Sequence, residues 1–447
     1  MTRTRLDGLY LLVLGSLVFL GLSFALVNAQ PNSLADFKAL YYPARCLIEH
    51  GDPYNRNDVM RVYGAEDKNS SQDTETNRQI ATENPYPPTA FPFTGPLALL
   101  PWGPAHSLWT ALNVGSFLFA AFLIWNLGVE YAPTLTGALL CFLLANSELL
   151  IVCGNVAGLV ICLCVIAVWC FFRERFVWLG IVCLAISLAL KPHDTGLVWL
   201  YFLLAGGVYR KRALQTLLAT AAIGLPSLLW MAVAAPHWLQ EMRFNLQTFS
   251  AHGGINDPGL ASSGGHGLDM LISLQTVFSV FWDNPRFYNL ASYLVCAPLL
   301  LVWALVTLRS RRSPRSFWLG LATIAALSML PVYHRQLDAK LLMLTVPACA
   351  MLWSEAGVTA RLALLVNGAG LLLIGDLPWA ILLVLMSNLH QAGGALSRQL
   401  NIAVQMFPIP LILLGMTIFY LWVYARNRLD TGSAIRDQES PGIEAAG

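Results

Sequence analysis

The chain has 447 residues, of which 56% are hydrophobic and only 12% are charged, and its mean hydropathy is +0.59. Soluble domains carry about 25% charged residues, so this composition excludes an ordinary soluble protein and indicates a chain whose main solvent is the lipid bilayer. The net charge of only +2 gives no indication of a nucleic-acid partner.

Apolar segments predict about twelve membrane spans, since a spanning helix needs about 20 mostly apolar residues. The first span follows Arg3 and Arg5 and ends near Val27-Asn28-Ala29, which resembles a signal-peptidase site; the length of the span favours an uncleaved helix. The predicted spans are 8–28, 105–127, 133–152, 155–172, 176–190, 195–209, 213–235, 288–308, 317–331, 340–353, 362–384 and 402–424.

Basic residues predict the orientation of these spans, because cytoplasmic loops are enriched in Lys and Arg. With the N-terminus inside, the strongly basic short loops fall on one side; they are Arg173 and Arg175, 210–212, 309–315, Arg361, and Arg426 with Arg428. We therefore expect one multi-pass domain over 1–426 in the plasma (inner) membrane, with both termini cytoplasmic. Two large loops, 29–104 and 236–287, would lie outside, and 427–447 would form a disordered cytoplasmic tail.

Cysteines give no sign of disulfide or metal chemistry. Of the nine, only Cys46 lies in a clearly polar region, and the others fall in or beside apolar runs. We interpret them as small packing residues, so the sequence predicts no metal site and no cofactor.

The first outer loop begins with a predicted short helix at the membrane interface, which ends at Gly51-Asp52-Pro53. Asp36 opens this helix, and Tyr41 and Tyr42 would lie at headgroup depth. An acid in the first turn is explained equally well as a helix cap, so position alone leaves a catalytic role for Asp36 open. Further along the loop, the prolines of 84–104 forbid a continuous helix and favour a rigid aromatic or re-entrant segment.

Two short polar motifs stand at the outer ends of later spans. In LALKPHDTG, at 188–196, Lys191 is either an interfacial lysine whose ammonium reaches water or a cation for a lipid phosphate. In PVYHRQLDAK, at 331–340, Arg335 either forms a structural ion pair with Asp338 or belongs to a phosphate clamp. Asn155, in the GNVAG turn, would cap the next helix or bind a ligand.

These motifs together carry a family resemblance. The run from Asp36 through YYPARCLIEHGDPYN, the YPP at 86–88, the LALKP run ending at Pro192, and PVYHRQLDAK resemble the polyprenyl-phosphate-mannose-dependent mannosyltransferases of glycosyltransferase family 87, once called the DUF2029 family. The resemblance extends over about 36–347. Relatives often have Gly-Gln where this chain has Gly154-Asn155, and some have Tyr where Leu337 stands.

The resemblance implies the all-α GT-C fold, in which an acidic residue of the first extracytoplasmic loop is the catalytic base; Asp36 occupies that place. It also implies a polyprenyl-phosphate-linked sugar as donor.

Residue chemistry favours the same reaction, because glycosyl transfer needs a base for the acceptor hydroxyl and cations for the departing phosphate. We expect Lys191, His334, Arg335 and Lys340 to bind the donor phosphate. The predicted substrate cleft comprises Tyr41, Tyr42, Asp52, Tyr54, Tyr86, Asn155, His193, Asp194, Tyr333 and Asp338, with Asp52 as reserve base.

The prediction is therefore a membrane hexosyltransferase, most simply an inverting one, that transfers mannose to a lipid or glycan acceptor at the outer face. One alternative is a polysaccharide ligase or polymerase that uses a diphosphate lipid. Another is a lipid or solute transporter, which would be expected to place polar residues at mid-membrane depth. Glu148 and Asp376 are the few residues that suit the transporter, and most other charges gather on one face.

Overall fold

The fold is taken from a computed structural model, which describes residues 3–29, 34–66, 74–260, 262, 271–387 and 408–438. In this part of the chain the regular structure is helical, and an isolated antiparallel bridge joins Leu271 to Arg335. In the first half the helices are α1 Arg3–Ala29, α2 Ala35–Ile48, α3 Arg56–Glu66, α4 Glu75–Thr82, α5 Phe91–Ala98, α6 Trp102–Gly128, α7 Pro133–Leu144, α8 Glu148–Cys153, α9 Ala157–Arg173, α10 Val177–Leu190 and α11 Pro192–Leu204. The second half has α12 Gly207–Ala234, α13 Trp238–Ser250, α14 Leu274–Ser279, α15 Pro285–Arg309, α16 Pro314–Leu327, α17 Val346–Ser354, α18 Gly357–Leu373, α19 Asp376–Ser387 and α20 Pro408–Gln438, with short 3-10 helices at Pro88–Ala90 and Asp338–Thr345.

Five helices of the described residues are long and apolar enough to cross a membrane; they are α1, α6, α12, α15 and the 408–427 part of α20. Other predicted spans are broken. The 133–152 segment divides into α7 and α8 because Asn146 and Ser147 turn their side chains back onto the carbonyls of Phe142 and Leu143. The 340–353 segment is a 3-10 helix followed by α17. The structure thus supports an all-helical protein with several membrane helices, and the count of twelve stays a prediction.

Small residues allow α1 to lie directly on α7. A Cβ added to Gly8 would meet the carbonyl oxygen of Pro133 at 2.4 Å, and one added to Gly137 would meet that of Gly8 at 2.2 Å. Close backbone approach at small residues is the usual way in which helices associate in a bilayer, where apolar burial alone gives little driving force.

The buried helix α9 separates two ends of the molecule. Its first turn follows Asn155, and its last turn carries Arg173, about 25 Å away at 1.5 Å per residue. Basic residues cluster at this far end: Arg173 pairs with Glu130, Arg212 pairs with Glu174, and Arg312 lies against Gly207. Three of the predicted basic loops therefore meet at one end of the fold, and the membrane topology stays a prediction.

Two sequence predictions differ from the fold. Tyr41 and Tyr42 lie on the predicted helix α2, but both are fully buried inside the protein. The two rings therefore do not contact lipid headgroups, because α3, α4, α5 and Trp102 cover this helix. Their depth in the bilayer stays a prediction. At the other end of the chain, α20 continues through Gln438, so the first part of the predicted disordered tail 427–447 is helical; residues 439–447 lie outside the described residues.

Candidate active site

A cavity of about 640 Å³ lies at the end of the fold that carries Asn155. Polar side chains from distant parts of the sequence border it together with an apolar wall. The lining residues are Asp36, Ala39, Thr76, Ile80, Pro85, Tyr86, Pro87, Asn155, Leu190, Lys191, Pro192, His193, Met242, Leu246, Phe249, Ser250, Ile255, Asn256, Val332, Tyr333 and Arg335. Ligand pockets commonly have this size and this combination of surfaces.

Asp36 owes its position to two backbone residues in the left-handed conformation. Leu34, just before α2, has φ 67° and donates its N–H to the carbonyl of Val152 at 2.7 Å. Gly154, just after α8, has φ +64°, and a Cβ there would come within 2.7 Å of the Leu34 side chain. The two residues therefore join the start of α2 to the end of α8, and only glycine fits at 154.

Asn155 binds the carboxylate of Asp36. Its Oδ1 accepts the N–H of Ala157 at 2.8 Å, which fixes the amide so that Nδ2 donates to Asp36 Oδ2 at 2.7 Å. Burial raises the pKa of Asp36, while this hydrogen bond and the charges of Arg335 and Lys191 oppose the rise. Asn155 therefore stabilises the ionised form of a buried acid as well as capping a helix.

We expect Asn155→Ala to move the acidic limb of the pH–activity profile to higher pH. A general base must be ionised, and loss of the hydrogen bond that lowers the pKa of Asp36 leaves burial less opposed. The measurement is kcat/KM against pH, with Asn155→Gln as the control that keeps an amide. If the acidic limb stays unchanged or moves to lower pH, Asn155 does not lower the pKa of the catalytic base.

Lys191 occupies the break between α10 and α11, where Pro192 begins a new helix. Its ammonium lies 3.2 Å from Asp194 Oδ2 and also donates to Asp338 Oδ1. Burial disfavours its charge, but the two carboxylates outweigh burial and hold the pKa of Lys191 well above its usual value. The lysine is thus a buried cation neutralised by protein acids, although it borders the cavity.

Arg335 presents a guanidinium to the cavity from a tightly held position. Its Nε donates to the Tyr333 hydroxyl at 2.8 Å, and its terminal nitrogen donates to Ile255 O and Asn256 Oδ1, each at 3.0 Å. The backbone N–H of Arg335 donates to Asp338 Oδ2 at 2.8 Å. The backbone of Arg335 is thus tied to Asp338, and Arg335 borders the cavity. The ion pair between the two side chains stays a prediction.

The loop that meets Arg335 is organised by Asp257. The carboxylate of Asp257 accepts the N–H groups of Gly253 and Gly259 at 2.7 and 2.9 Å and the Tyr288 hydroxyl at 2.7 Å. Ile255 and Asn256 lie within this closed turn, so their oxygens are held in place before any ligand binds.

His193, Asp194 and His334 form a compact group beside Lys191. His193 Nε2 lies 3.3 Å from Asp194 Oδ1, and His334 Nε2 lies 3.7 Å from the same oxygen. The side chains of Asp194 and His334 are each 1% exposed, whereas that of His193 is 37% exposed and borders the cavity. Three potential ligand atoms thus lie within 4.8 Å of one another.

Sequence reasoning missed the apolar wall of the cavity. Met242, Leu246 and Phe249 reach it from α13, and Ile255 and Val332 add to it. The spacing of 242, 246 and 249 is that of one helical face, and this periodicity was the available signal. Leu239 and Phe244, also on α13, are 41% and 63% exposed, so the helix carries apolar side chains outward as well.

Several predicted cleft residues do not line the cavity. The Tyr41 hydroxyl donates to Leu100 O at 2.7 Å, and Tyr42 stacks on Trp102. Asp52 accepts the N–H of Tyr54 at 2.9 Å. Tyr54 donates to the backbone oxygen of Tyr86 at 2.8 Å, so it supports a residue that does border the cavity. Asp194, His334 and Asp338 lie behind the surface formed by Lys191, His193 and Arg335.

Lys340 is the predicted phosphate ligand that the fold places elsewhere. It is fully buried, and its ammonium donates to Asn146 O and Ile374 O, each at 2.9 Å, and to Asp376 Oδ1 at 3.0 Å. Asp376 in turn accepts the N–H of Leu149 at 2.7 Å. Lys340 therefore joins the ends of three helical segments and does not border the cavity.

Lys340→Met is expected to destabilise the fold by about 3 kcal/mol, because it leaves Asp376, whose side chain is only 11% exposed, without its cation. The readout is the thermal unfolding midpoint in detergent, together with the KM for donor of the folded fraction. Adding Asp376→Asn should restore part of the loss. A normal midpoint with a raised donor KM would instead return Lys340 to the phosphate site.

Comparison with known proteins assigns the chain to a family. The model of glycosyltransferase family 87 matches residues 84–331, which is more than half of the chain. The match contains Tyr86, Asn155 and Lys191, while Asp36 precedes it and Arg335 follows it. Searches of curated proteins and of solved structures gave no match. The chain therefore belongs to glycosyltransferase family 87.

Proposed function

We propose that this membrane glycosyltransferase moves a hexose, mannose by its family resemblance, from a polyprenyl-phosphate donor to a lipid or glycan acceptor at the extracytoplasmic face of the plasma membrane. One observation carries the proposal. Asp36, Lys191 and Arg335 come from three separate parts of the chain, yet they border one cavity. An acid and cations around one space provide the two kinds of group that glycosyl transfer requires.

Asp36 is the proposed general base. The acceptor oxygen forms a bond to the anomeric carbon, its proton passes to the Asp36 carboxylate, and the bond from that carbon to the phosphate oxygen breaks. The electron pair leaves with the phosphate. A single displacement of this kind inverts the anomeric centre, and a covalent sugar on the protein would contradict it.

Arg335 is the leading proposed ligand of the departing phosphate. Arg335 is 9% exposed as a residue and borders the cavity, and its guanidinium is oriented by Tyr333, Ile255 and Asn256, so little ordering remains when an anion binds. Lys191 shares its charge with Asp194 and Asp338 and therefore contributes less than a free ammonium would.

The prenyl chain is proposed to lie along the wall formed by Met242, Leu246 and Phe249. An apolar wall beside cationic groups suits an amphipathic donor with a phosphate at one end. The sidedness rests on α9, which separates the cavity from the basic end of the fold by about 25 Å. A GT-C arrangement of about twelve spans, with both termini inside, is the topology that we propose.

The donor class can be tested with the full-length protein in liposomes that contain an extract of acceptor lipids and glycans. Labelled polyprenyl-phosphate mannose, a labelled polyprenyl-diphosphate sugar and a labelled nucleotide sugar would be supplied in parallel. We expect label to reach acceptor from the monophosphate lipid alone, and Asp36→Asn to stop this transfer. Equal or faster transfer from the nucleotide sugar would overturn the proposal, and transfer from the diphosphate lipid would favour a ligase or polymerase.

A further inference from the structure

His193, Asp194 and His334 have the geometry of a cation site. The two imidazole Nε2 atoms lie 3.3 and 3.7 Å from Asp194 Oδ1, so one ion placed between the three atoms could bind all of them. Edges of this length are those of a tetrahedron whose ligands lie about 2.0–2.2 Å from a central zinc ion. All three ligand atoms lie within 4.8 Å of one another, and among the described residues this is the group of three or more His, Cys, Asp or Glu side chains that meets that limit.

Two of these atoms are buried without a well-aligned hydrogen bond. Asp194 Oδ1 and His334 Nε2 are inaccessible to solvent, and the side chains that carry them are each 1% exposed. Neither atom has a well-aligned hydrogen-bond partner. Buried polar atoms are normally paired, because an unpaired one keeps its full desolvation penalty. The two atoms face each other, so a single ion would satisfy both of them.

The tautomer of His334 suits a ligand. Its Nδ1 lies 3.2 Å from the carbonyl oxygen of Val332, which can only accept, so Nδ1 carries a proton. The ring also has a hydrogen bond to the backbone of His193. In the neutral ring with its proton on Nδ1, Nε2 has the lone pair that a metal ion needs. A metal-binding histidine typically donates its other ring nitrogen to a backbone carbonyl or a carboxylate in this way.

An excess of negative charge near the cavity would also favour a bound cation. Asp36 at the cavity and Asp194 and Asp338 just behind its surface are three carboxylates, against the two cations Lys191 and Arg335. An anionic phosphodiester would increase this excess of negative charge. A divalent ion at Asp194 would make the net charge of these groups positive, and the cavity would then attract phosphate.

We propose that His193, Asp194 and His334 bind a divalent transition-metal ion, zinc being the ion best suited to two imidazoles and a carboxylate. His193 borders the cavity, so an ion bound to it would lie at the cavity wall. The ion would keep one coordination position open toward the bound donor. There the ion would stabilise charge on the phosphate oxygens as the sugar leaves. The role in transfer rests on the proposed function, whereas binding itself does not.

The test uses purified full-length protein in nanodiscs, freed of metal with a chelating resin and titrated with Co²⁺ as a spectroscopic substitute for Zn²⁺. We expect one equivalent to bind, with the visible absorption of tetrahedral cobalt, and Zn²⁺ to displace it. His193→Ala should weaken binding by more than about 100-fold, because loss of even an outer partner of a metal ligand costs about 10- to 100-fold. His193 is partly exposed, so this variant is expected to fold; Asp194→Asn is the second variant.

His237→Ala provides the matched control, since it removes an exposed histidine at the start of α13 and should leave one equivalent bound. No binding by the unaltered protein, or equal binding by His193→Ala, overturns the site. A proton on Asp194 would relieve the same excess of charge, and it predicts that negative result. Because the readout is binding, failure here is distinguishable from failure of the donor test.

Discussion

Asp36→Asn is expected to lower the rate of glycosyl transfer by about 10²–10⁴-fold, the range that a general base contributes. The substitution keeps the size of the side chain, and an amide oxygen can still accept from Asn155 Nδ2, so the start of α2 should keep its position. The measurement is kcat with saturating donor and acceptor. Thermal unfolding in detergent should show that the variant remains folded.

Asp52→Asn is the matched control for the reserve base. Asp52 follows the same helix, but its Oδ1 accepts the Tyr54 N–H and it does not border the cavity. We expect this variant to retain most of its activity. Loss at residue 52 together with retention at residue 36 would reverse the assignment.

Arg335→Ala is expected to reduce kcat/KM for the lipid donor by about 10- to 100-fold, because a hydrogen bond to a charged group contributes about 1.5–3 kcal/mol. Arg335→Lys should recover only part of the loss, since lysine restores the charge without the planar pair of donors. kcat/KM is to be measured with the donor and the acceptor varied separately, and the decrease should be larger for the donor than for the acceptor.

Two controls separate this effect from damage to the fold. Arg243→Ala removes an exposed arginine of α13 and should change neither parameter. Asn256→Ala removes one anchor of the guanidinium while keeping its charge, so it should give a smaller donor defect. If Arg335→Ala lowers the yield of folded protein as much as its activity, the arginine is a structural tether.

Helices were predictable from the sequence where a long apolar run sufficed, as in α1, α6 and α15. Breaks inside apolar runs were not, because they depend on side chains that bond back to the preceding turn, as at Asn146 and Ser147. The burial of Tyr41 and Tyr42 likewise depends on α3, α4 and α5, whose tertiary contacts cannot be read from the composition of α2.

In the candidate site, sequence reasoning selected the polar residues but could not rank them. Lys191 and Lys340 look alike as single lysines beside apolar spans, yet one borders the cavity and the other joins helix ends near Asp376. No metal site was predicted, because His334 lies far along the chain from His193 and Asp194 and only the fold places their ring nitrogens around one carboxylate.

The left-handed pair Leu34 and Gly154 has a consequence for how the enzyme could diversify. These backbone contacts place the start of α2, and Asn155 holds the carboxylate of Asp36, so its orientation is settled during folding and needs no reorganisation when an acceptor arrives. The apolar wall on α13 is instead made of the side chains of Met242, Leu246 and Phe249. With the prenyl-phosphate donor proposed above, substitutions at positions 242, 246 and 249 would change the chain length that fits while the position of Asp36 stays unchanged.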